Sequence, residues 1–134
     1  MLESDNDREE GCLFCEIDKD RIIASNEFCY AIRDGFTVTE HHTMIIPHRH
    51  VEDYFGLYQP ELNAVNQMLN KVKEDIEEID SSVTGFNIGM NCGEDAGQSI
   101  FHCHIHLIPR RKSDVDDPRG GVRSVIADKL RYWS

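Results

Sequence analysis

The sequence predicts an α+β fold: an antiparallel sheet of about five strands with one long helix packed on one side. Three short apolar segments precede a long amphipathic stretch and two follow it. This order favours an antiparallel sheet over alternating strand–helix units. The chain has 134 residues, which corresponds to one domain by the usual rule of roughly 100–200 residues each.

Three strands are predicted ahead of the helix. Residues 22–24 and 28–32 are apolar and flank a polar turn, which is typical of a hairpin. Residues 42–46 form the third apolar segment. Pro47 is expected to end it, because proline has no backbone N–H to donate within a sheet.

The helix is predicted from Pro60 to about Asp80. Pro60 suits the first helical turn, and Glu61 is favoured at the positive end of the helix dipole. Apolar residues repeat along this stretch at helical spacing: Leu62, Val65, Met68, Leu69, Val72, Ile76 and Ile79. Residues 85–90 and 99–108 are the last two predicted strands.

The two ends of the chain differ from this body. Residues 1–10 contain five acidic residues and are predicted to form a flexible acidic tail. Residues 11–134 form the single predicted domain. Its polar C-terminal arm begins at about residue 112.

Composition excludes several classes of function. The formal net charge is −11, which argues against general nucleic-acid binding, since that requires basic surfaces. The longest apolar runs are a few residues, too short to cross a membrane. The acidic start carries no signal peptide and the cysteine count is odd, so we expect a reducing, cytoplasmic location.

The strongest chemical signal is the alternation of His102, His104 and His106 in the fifth predicted strand. Alternate strand residues share one face at about 6.8 Å spacing, so we expect three imidazoles side by side. Imidazoles can ligate a metal that keeps an open position for water, or one of them can act as nucleophile or base. The residues alone leave both chemistries open.

Cys12 and Cys15 form a second pattern, C-x-x-C. By itself this pair is compatible with half of a metal site, a redox dithiol or two small buried residues.

These motifs resemble the histidine triad (HIT) superfamily of nucleotide hydrolases and transferases. Residues 102–108 satisfy its signature of three histidines alternating with apolar residues, and Gly-Gln-Ser at 97–99 precedes it as in the family. Residues 12–17 and 42–50 also match, so the resemblance covers about residues 11–111. Relatives often carry Pro-Gly where this chain has Glu40-His41. Since a side chain strains a position of positive φ, we expect the local turn to differ.

The resemblance implies a role for each site residue. His104 corresponds to the nucleophile, which attacks an α-phosphorus and forms a nucleotidyl-histidine that water then hydrolyses. His106, Gln98 and Ser99 correspond to groups that stabilise phosphate charge or the leaving atom. Further nucleotide contacts are implied for Asp34 with the ribose, for Asn91 with phosphate or ribose, and for an apolar base slot of Leu13, Phe14 and Ile17.

In one branch of the superfamily, two N-terminal cysteines, a histidine after the second motif and the first triad histidine bind a metal. The corresponding residues are Cys12, Cys15, His50 and His102. Two thiolates and two imidazoles would form a closed, structural zinc site. His48 is the alternative to His50, and a redox dithiol or a metal-free pair is the alternative to zinc. His42 is given no catalytic role.

The resemblance therefore implies cleavage of the α-phosphate bond of a purine nucleotide, such as an adenosine phosphoramidate or a diadenosine polyphosphate, with release of AMP. It also implies a homodimer. Two alternatives remain: a metal-dependent hydrolase that uses the triad histidines as ligands, and a nucleotide-binding protein without turnover. Neither a membrane nor a nucleic acid is an expected partner.

Overall fold

The computed structural model describes residues 8–131. Residues 1–7 of the predicted tail and residues 132–134 of the predicted arm lie outside the described residues. A five-stranded antiparallel sheet with spatial order β1-β2-β3-β5-β4 confirms the predicted α+β class. The strands are β1 (Ile22–Ser25), β2 (Cys29–Arg33), β3 (Thr43–Pro47), β4 (Val83–Gly89) and β5 (Ile105–Arg111). In the described part of the chain, no helix is both long and apolar enough to cross a membrane.

One helix, α1 (Gln59–Ile79), packs on the sheet as predicted. Its start is held by Glu61, whose carboxylate accepts from the Tyr58 backbone N–H at 2.8 Å and satisfies a donor left free at the helix terminus. The same buried carboxylate forms a bidentate ion pair with Arg49, at 2.8 and 2.9 Å. The segment that follows β3 is thereby tied to the start of α1.

The alternation of side chains along the strands produces two apolar layers. Ile45, Ile105 and Leu107 face α1 and form the larger core with residues such as Val72 and Ile76. Alternate residues point to the opposite face, where Phe14, Tyr30, Ile32, Met44 and Ile46 form a second cluster. His106 pairs with Met44 across β3 and β5, so the triad histidine in the strand belongs to the face opposite the helix.

The fifth strand begins later than predicted. It was expected from residue 99, but β5 starts at Ile105, so His102 and His104 precede it. The β3–β5 ladder stops at the Ile45–Ile105 pair. Beyond that pair the chain approaches Pro47, which has no N–H to donate, while Cys103 N donates to Val51 O at 2.7 Å instead. Only His106 of the three therefore lies in the strand itself, although the rings of His104 and His106 are adjacent, with centroids 5.3 Å apart.

The turn before β3 contains a left-handed residue that is not glycine. His41 has a φ of 73°, a conformation that L-residues rarely adopt. Its Nε2 lies 3.5 Å from a carboxylate oxygen of Asp80, and Arg111 donates to both Asp80 and Glu40 O. These contacts with the ends of α1 and β5 offset the cost of the strained backbone.

The chain after β5 contains two short 3-10 turns, Gly121–Val125 and Ala127–Lys129. Arg110, near the end of β5, forms a bidentate pair with Asp114 at the start of this region, at 2.8 Å for both contacts.

Candidate active site and metal centre

His102 faces the two N-terminal cysteines. The ring is fully buried, and burial lowers its pKa to about 4, so it is neutral at physiological pH. Its Nε2 donates to Pro47 O at 2.8 Å, which leaves the lone pair on Nδ1. That atom lies 3.3 Å from Cys12 Sγ and 3.5 Å from Cys15 Sγ. The first triad histidine therefore presents a ligand atom to sulfur.

Four residues form a cluster that could hold a metal ion. Their ligand atoms all lie within 4.8 Å of one another, and they are Cys12, Cys15, His50 and His102. A tetrahedral ion with metal–sulfur and metal–nitrogen bonds of about 2.3 and 2.0 Å would separate neighbouring sulfur and nitrogen ligands by about 3.5 Å. The observed separations of 3.3–3.5 Å fit that requirement.

His48, the alternative ligand, lies apart from this cluster. Its Nε2 donates to Asn26 O at 3.0 Å, and its ring packs against Tyr30 with centroids 5.5 Å apart. His50 supplies the fourth ligand atom instead, with Nδ1 at 3.3 Å from Cys15 Sγ.

His104 has a different environment from His102. Its Nδ1 donates to the backbone carbonyl of His102 at 2.8 Å, and its ring packs against Phe14 with centroids 5.1 Å apart. In the neutral ring, a proton on Nδ1 leaves the lone pair on Nε2. The central histidine is thus oriented with one nitrogen available as a nucleophile, outside the metal cluster.

His106 is the end of a chain of hydrogen bonds. Val38 N donates to His42 Nδ1 at 3.1 Å, so the neutral His42 ring carries its proton on Nε2. His42 Nε2 then donates to His106 Nδ1, 2.9 Å away. The remaining His106 proton must then be on Nε2. Burial lowers the pKa of both rings, that of His106 to about 4, and keeps them neutral.

Sequence reasoning missed His42. It was given no role, yet it is buried and determines which nitrogen of His106 is a donor. The signal was present in the alternation of β3: His42 has the same parity as Met44, which pairs with His106 in the ladder. Only the register of β3 against β5 shows that the two rings meet.

The same hydrogen bonds separate the triad histidines from a shared metal site. His102 faces sulfur, His104 faces a carbonyl and His106 faces His42. Asp34, His42 and His106 do converge, with Asp34 Oδ2 at 3.4 Å from His42 Nε2. However, His42 Nδ1 already accepts from Val38, so its Nε2 carries a proton and has no lone pair for a metal.

Gln98 is a structural residue of the loop before β5. Its amide group donates to Glu52 O at 2.7 Å and to Ile100 O at 3.1 Å, and its oxygen accepts from Gly93 N at 2.8 Å. Both amide protons are therefore used inside the protein, and the side chain is buried. In this structure the Gln98 amide positions its neighbours, and its direct contact with a phosphate stays a prediction.

Those neighbours remain accessible. Ser99 and Asn91 are both exposed. Gly97 has a φ of 97° and lies against Asn91, where an added Cβ would meet the Asn91 amide at 3.8 Å. The loop therefore presents a hydroxyl and an amide while Gln98 anchors it.

The predicted base slot is divided among three environments. Phe14 is buried between the rings of His102 and His104, whereas Leu13 is 56% exposed. Ile17 packs against the second apolar cluster. A cavity of about 250 Å³ lies beside Phe14 and Ile17, and Arg8, Cys15, Lys19, Ile22, Tyr30 and His48 also line it.

Comparison with known proteins identifies relatives of this chain by sequence and by fold. The HIT domain family profile matches residues 16–113. An uncharacterized HIT-like protein of Mycoplasma genitalium is 34% identical over 103 residues, covering 74% of this chain and 72% of the relative. An asymmetrical bis(5'-nucleosyl)-tetraphosphatase of Schizosaccharomyces pombe is 38% identical over 76 residues, covering 57% of this chain and 41% of that enzyme.

Solved structures show the same architecture. The crystal structure of a HIT family protein from Bacillus anthracis has a TM-score of 0.71 and 33% identity, covering 78% of this chain and 76% of that one.

Proposed function

Because the chain belongs to the HIT domain family, we propose that it is a nucleotide hydrolase or nucleotidyl transferase acting on the α-phosphate bond of purine nucleotides. The main support for this proposal is the orientation of His104. Its Nδ1 donates to His102 O at 2.8 Å, which leaves the lone pair on Nε2 available as a nucleophile. Adenosine phosphoramidates and diadenosine polyphosphates are the proposed substrates, with AMP as product. The tetraphosphatase activity named for the Schizosaccharomyces pombe relative supports the second class.

The proposed reaction has two displacements at phosphorus. His104 Nε2 attacks the α-phosphorus, a nitrogen–phosphorus bond forms and the bond to the leaving group breaks. Water then attacks the nucleotidyl-histidine, the nitrogen–phosphorus bond breaks and AMP leaves with the added hydroxyl oxygen. His106 donates its Nε2 proton in a hydrogen bond to phosphate oxygens, where negative charge concentrates. The exposed Ser99 hydroxyl donates to the phosphate or to the leaving atom.

The nucleoside is proposed to occupy the same face of the sheet. Asp34, half-buried beside His42 and His106, would accept hydrogen bonds from the ribose hydroxyls. Phe14, Ile17 and the adjacent cavity would hold the base by shape and apolar contact. Asn91 would contact phosphate or ribose from the loop anchored by Gln98, and the exposed Leu13 would cover the slot at its rim.

We propose that the ion held by Cys12, Cys15, His50 and His102 is zinc with a structural role. The support is a donor set of two sulfurs and two nitrogens, which fills a tetrahedral ion and leaves no open position for water. When bound, zinc supplies a fixed positive charge that holds the thiolates. In this chain the site connects the N-terminal segment to His102, two residues before the proposed nucleophile.

The proposal also includes a homodimer and a cytoplasmic location. The dimer is implied by the family resemblance. All five cysteines are unpaired, which is compatible with a reducing compartment.

A comparison of wild-type protein with His104→Ala tests the proposed function. Adenosine phosphoramidate and diadenosine tetraphosphate are supplied separately, AMP is quantified by chromatography, and an AMP adduct is sought by mass spectrometry during single turnover. The variant should lose about 10³-fold or more in turnover and form no adduct, because no second nucleophile lies at that position. His41→Asn is the control, since asparagine tolerates a positive φ and the His41 side chain faces Asp80 rather than the triad.

Retained cleavage by folded His104→Ala would remove His104 as the nucleophile. Tight AMP binding by the wild-type protein without any turnover would instead support a nucleotide-binding protein.

A further inference from the structure

The two histidines of the metal cluster are held in the same way by different partners. Each ring turns Nδ1 toward a cysteine sulfur at 3.3 Å. His102 Nε2 donates to the Pro47 carbonyl at 2.8 Å. His50 Nε2 lies instead 3.1 Å from a carboxylate oxygen of Glu9. Glu9 therefore occupies, behind His50, the place that a backbone carbonyl occupies behind His102.

Two further hydrogen bonds hold the segment that contains Glu9 against Cys15. Glu9 N donates to Cys15 Sγ at 3.3 Å, and the Arg8 guanidinium donates to Cys15 O at 2.9 Å. An N–H donor stabilises negative charge on an acceptor, here the sulfur that a metal requires as thiolate. Glu9 thus contacts one nitrogen ligand through its side chain and one sulfur ligand through its backbone.

We infer that Glu9 is a positioning residue of the metal centre: its carboxylate accepts the Nε2 proton of His50 and directs the Nδ1 lone pair at the ion. This inference rests on the metal binding proposed above. A carboxylate behind a metal-bound imidazole fixes the tautomer and raises the basicity of the ligand.

A hydrogen-bond acceptor behind the ring should contribute more to metal affinity at His50 than at His102. The His102 ring is fully buried, so packing on all sides restricts its rotation. The His50 side chain is 21% exposed and follows β3 in an irregular segment. Its orientation therefore depends more on the hydrogen bond to Glu9.

The test is the zinc affinity of the full chain, measured by competition with a chromophoric chelator. Glu9→Ala should raise the dissociation constant about 10- to 100-fold, the usual effect of removing such a partner. Glu9→Gln should recover part of the loss, because its amide oxygen still accepts the Nε2 proton. Glu10→Ala is the matched control: it removes an adjacent exposed carboxylate of the same charge and should bind zinc as the wild type does.

Cobalt(II) loading separates positioning from direct ligation. The thiolate-to-cobalt charge-transfer bands should persist in Glu9→Ala, because Cys12 and Cys15 are unchanged. Loss of these bands in Glu9→Ala would overturn the positioning role of Glu9. The same conclusion would follow if the wild type binds zinc tightly and Glu9→Ala and Glu10→Ala bind it with equal affinity. Failure of the wild-type chain to bind zinc would overturn the metal centre itself and this inference with it.

Discussion

Replacing Gln98 with alanine should destabilise the protein rather than act first on chemistry. Three hydrogen bonds of 2.7–3.1 Å are lost, which leaves Gly93 N, Glu52 O and Ile100 O without their partner. Each such bond contributes about 1 kcal/mol net, and a buried group left unsatisfied costs about 1–3 kcal/mol. Water entering from the exposed part of the loop would satisfy some of these groups. We therefore expect the free energy of unfolding to fall by about 3 kcal/mol.

Urea unfolding followed by circular dichroism measures this loss. With a slope of about 1.5–2 kcal/mol per molar urea, the midpoint should fall by about 1.5–2 M with an unchanged slope. Gln98→Glu should lose at least as much, because it keeps an acceptor for Gly93 N but places a carboxylate against Glu52 O. Both variants and the wild type are compared at the same metal load.

Ser99→Ala is the matched comparison. Ser99 is exposed, so its replacement should change the unfolding free energy by less than about 0.5 kcal/mol while it lowers the proposed turnover. A Gln98→Ala midpoint equal to that of the wild type would refute the reasoning that the amide anchors the loop. A loss of stability in Ser99→Ala would show that the two roles are not separable in this way.

Two further predictions concern charge inside the fold. The pKa of His106 is about 4 in the folded protein against an ordinary value of 6.5; the unfolded chain therefore binds the extra proton first, and stability falls as pH drops from about 6.5 toward 4, by about 3 kcal/mol for this ring. His106→Gln should flatten that part of the pH–stability curve measured by urea unfolding, and an unchanged slope would contradict a half-buried ring that is neutral in the folded protein. Glu61→Gln should cost about 3 kcal/mol, because it removes the charge from a buried bidentate pair with Arg49. Glu77→Gln on the exposed Lys73–Glu77 pair should cost less than about 0.5 kcal/mol in the same assay, and similar losses for the two variants would count against burial as the cause.

Local patterns predicted most of the architecture. The apolar repeat along α1 arises from burial of one helix face, whereas β2 and β3 are short apolar runs that are buried on both faces. The start of β5 was placed six residues too early, because whether a segment pairs depends on its neighbour. Here that neighbour is Pro47, which has no N–H to continue the ladder.

The candidate residues were visible in the sequence to different degrees. Cys12, Cys15, His50 and His102 converge in the structure as the family resemblance implied. Gln98 was named as a phosphate contact, but its amide protons bond to Glu52 O and Ile100 O. The same glutamine side chain can bind a phosphate or anchor a loop. The sequence does not show which, because the Glu52 carbonyl that it contacts is distant along the chain.

The order of residues by itself determined which side chains alternate, where the helix lies, and that the chain concentrates imidazole and thiol groups in a few short motifs. The tertiary structure alone decided which nitrogen of each ring carries its proton, because that depends on partners such as Pro47 O and Val38 N. These partners lie 55 and 4 residues from the rings that they contact. A hydrogen bond acts over about 3 Å regardless of that separation, so the protonation pattern of the site follows from the fold and not from the motif.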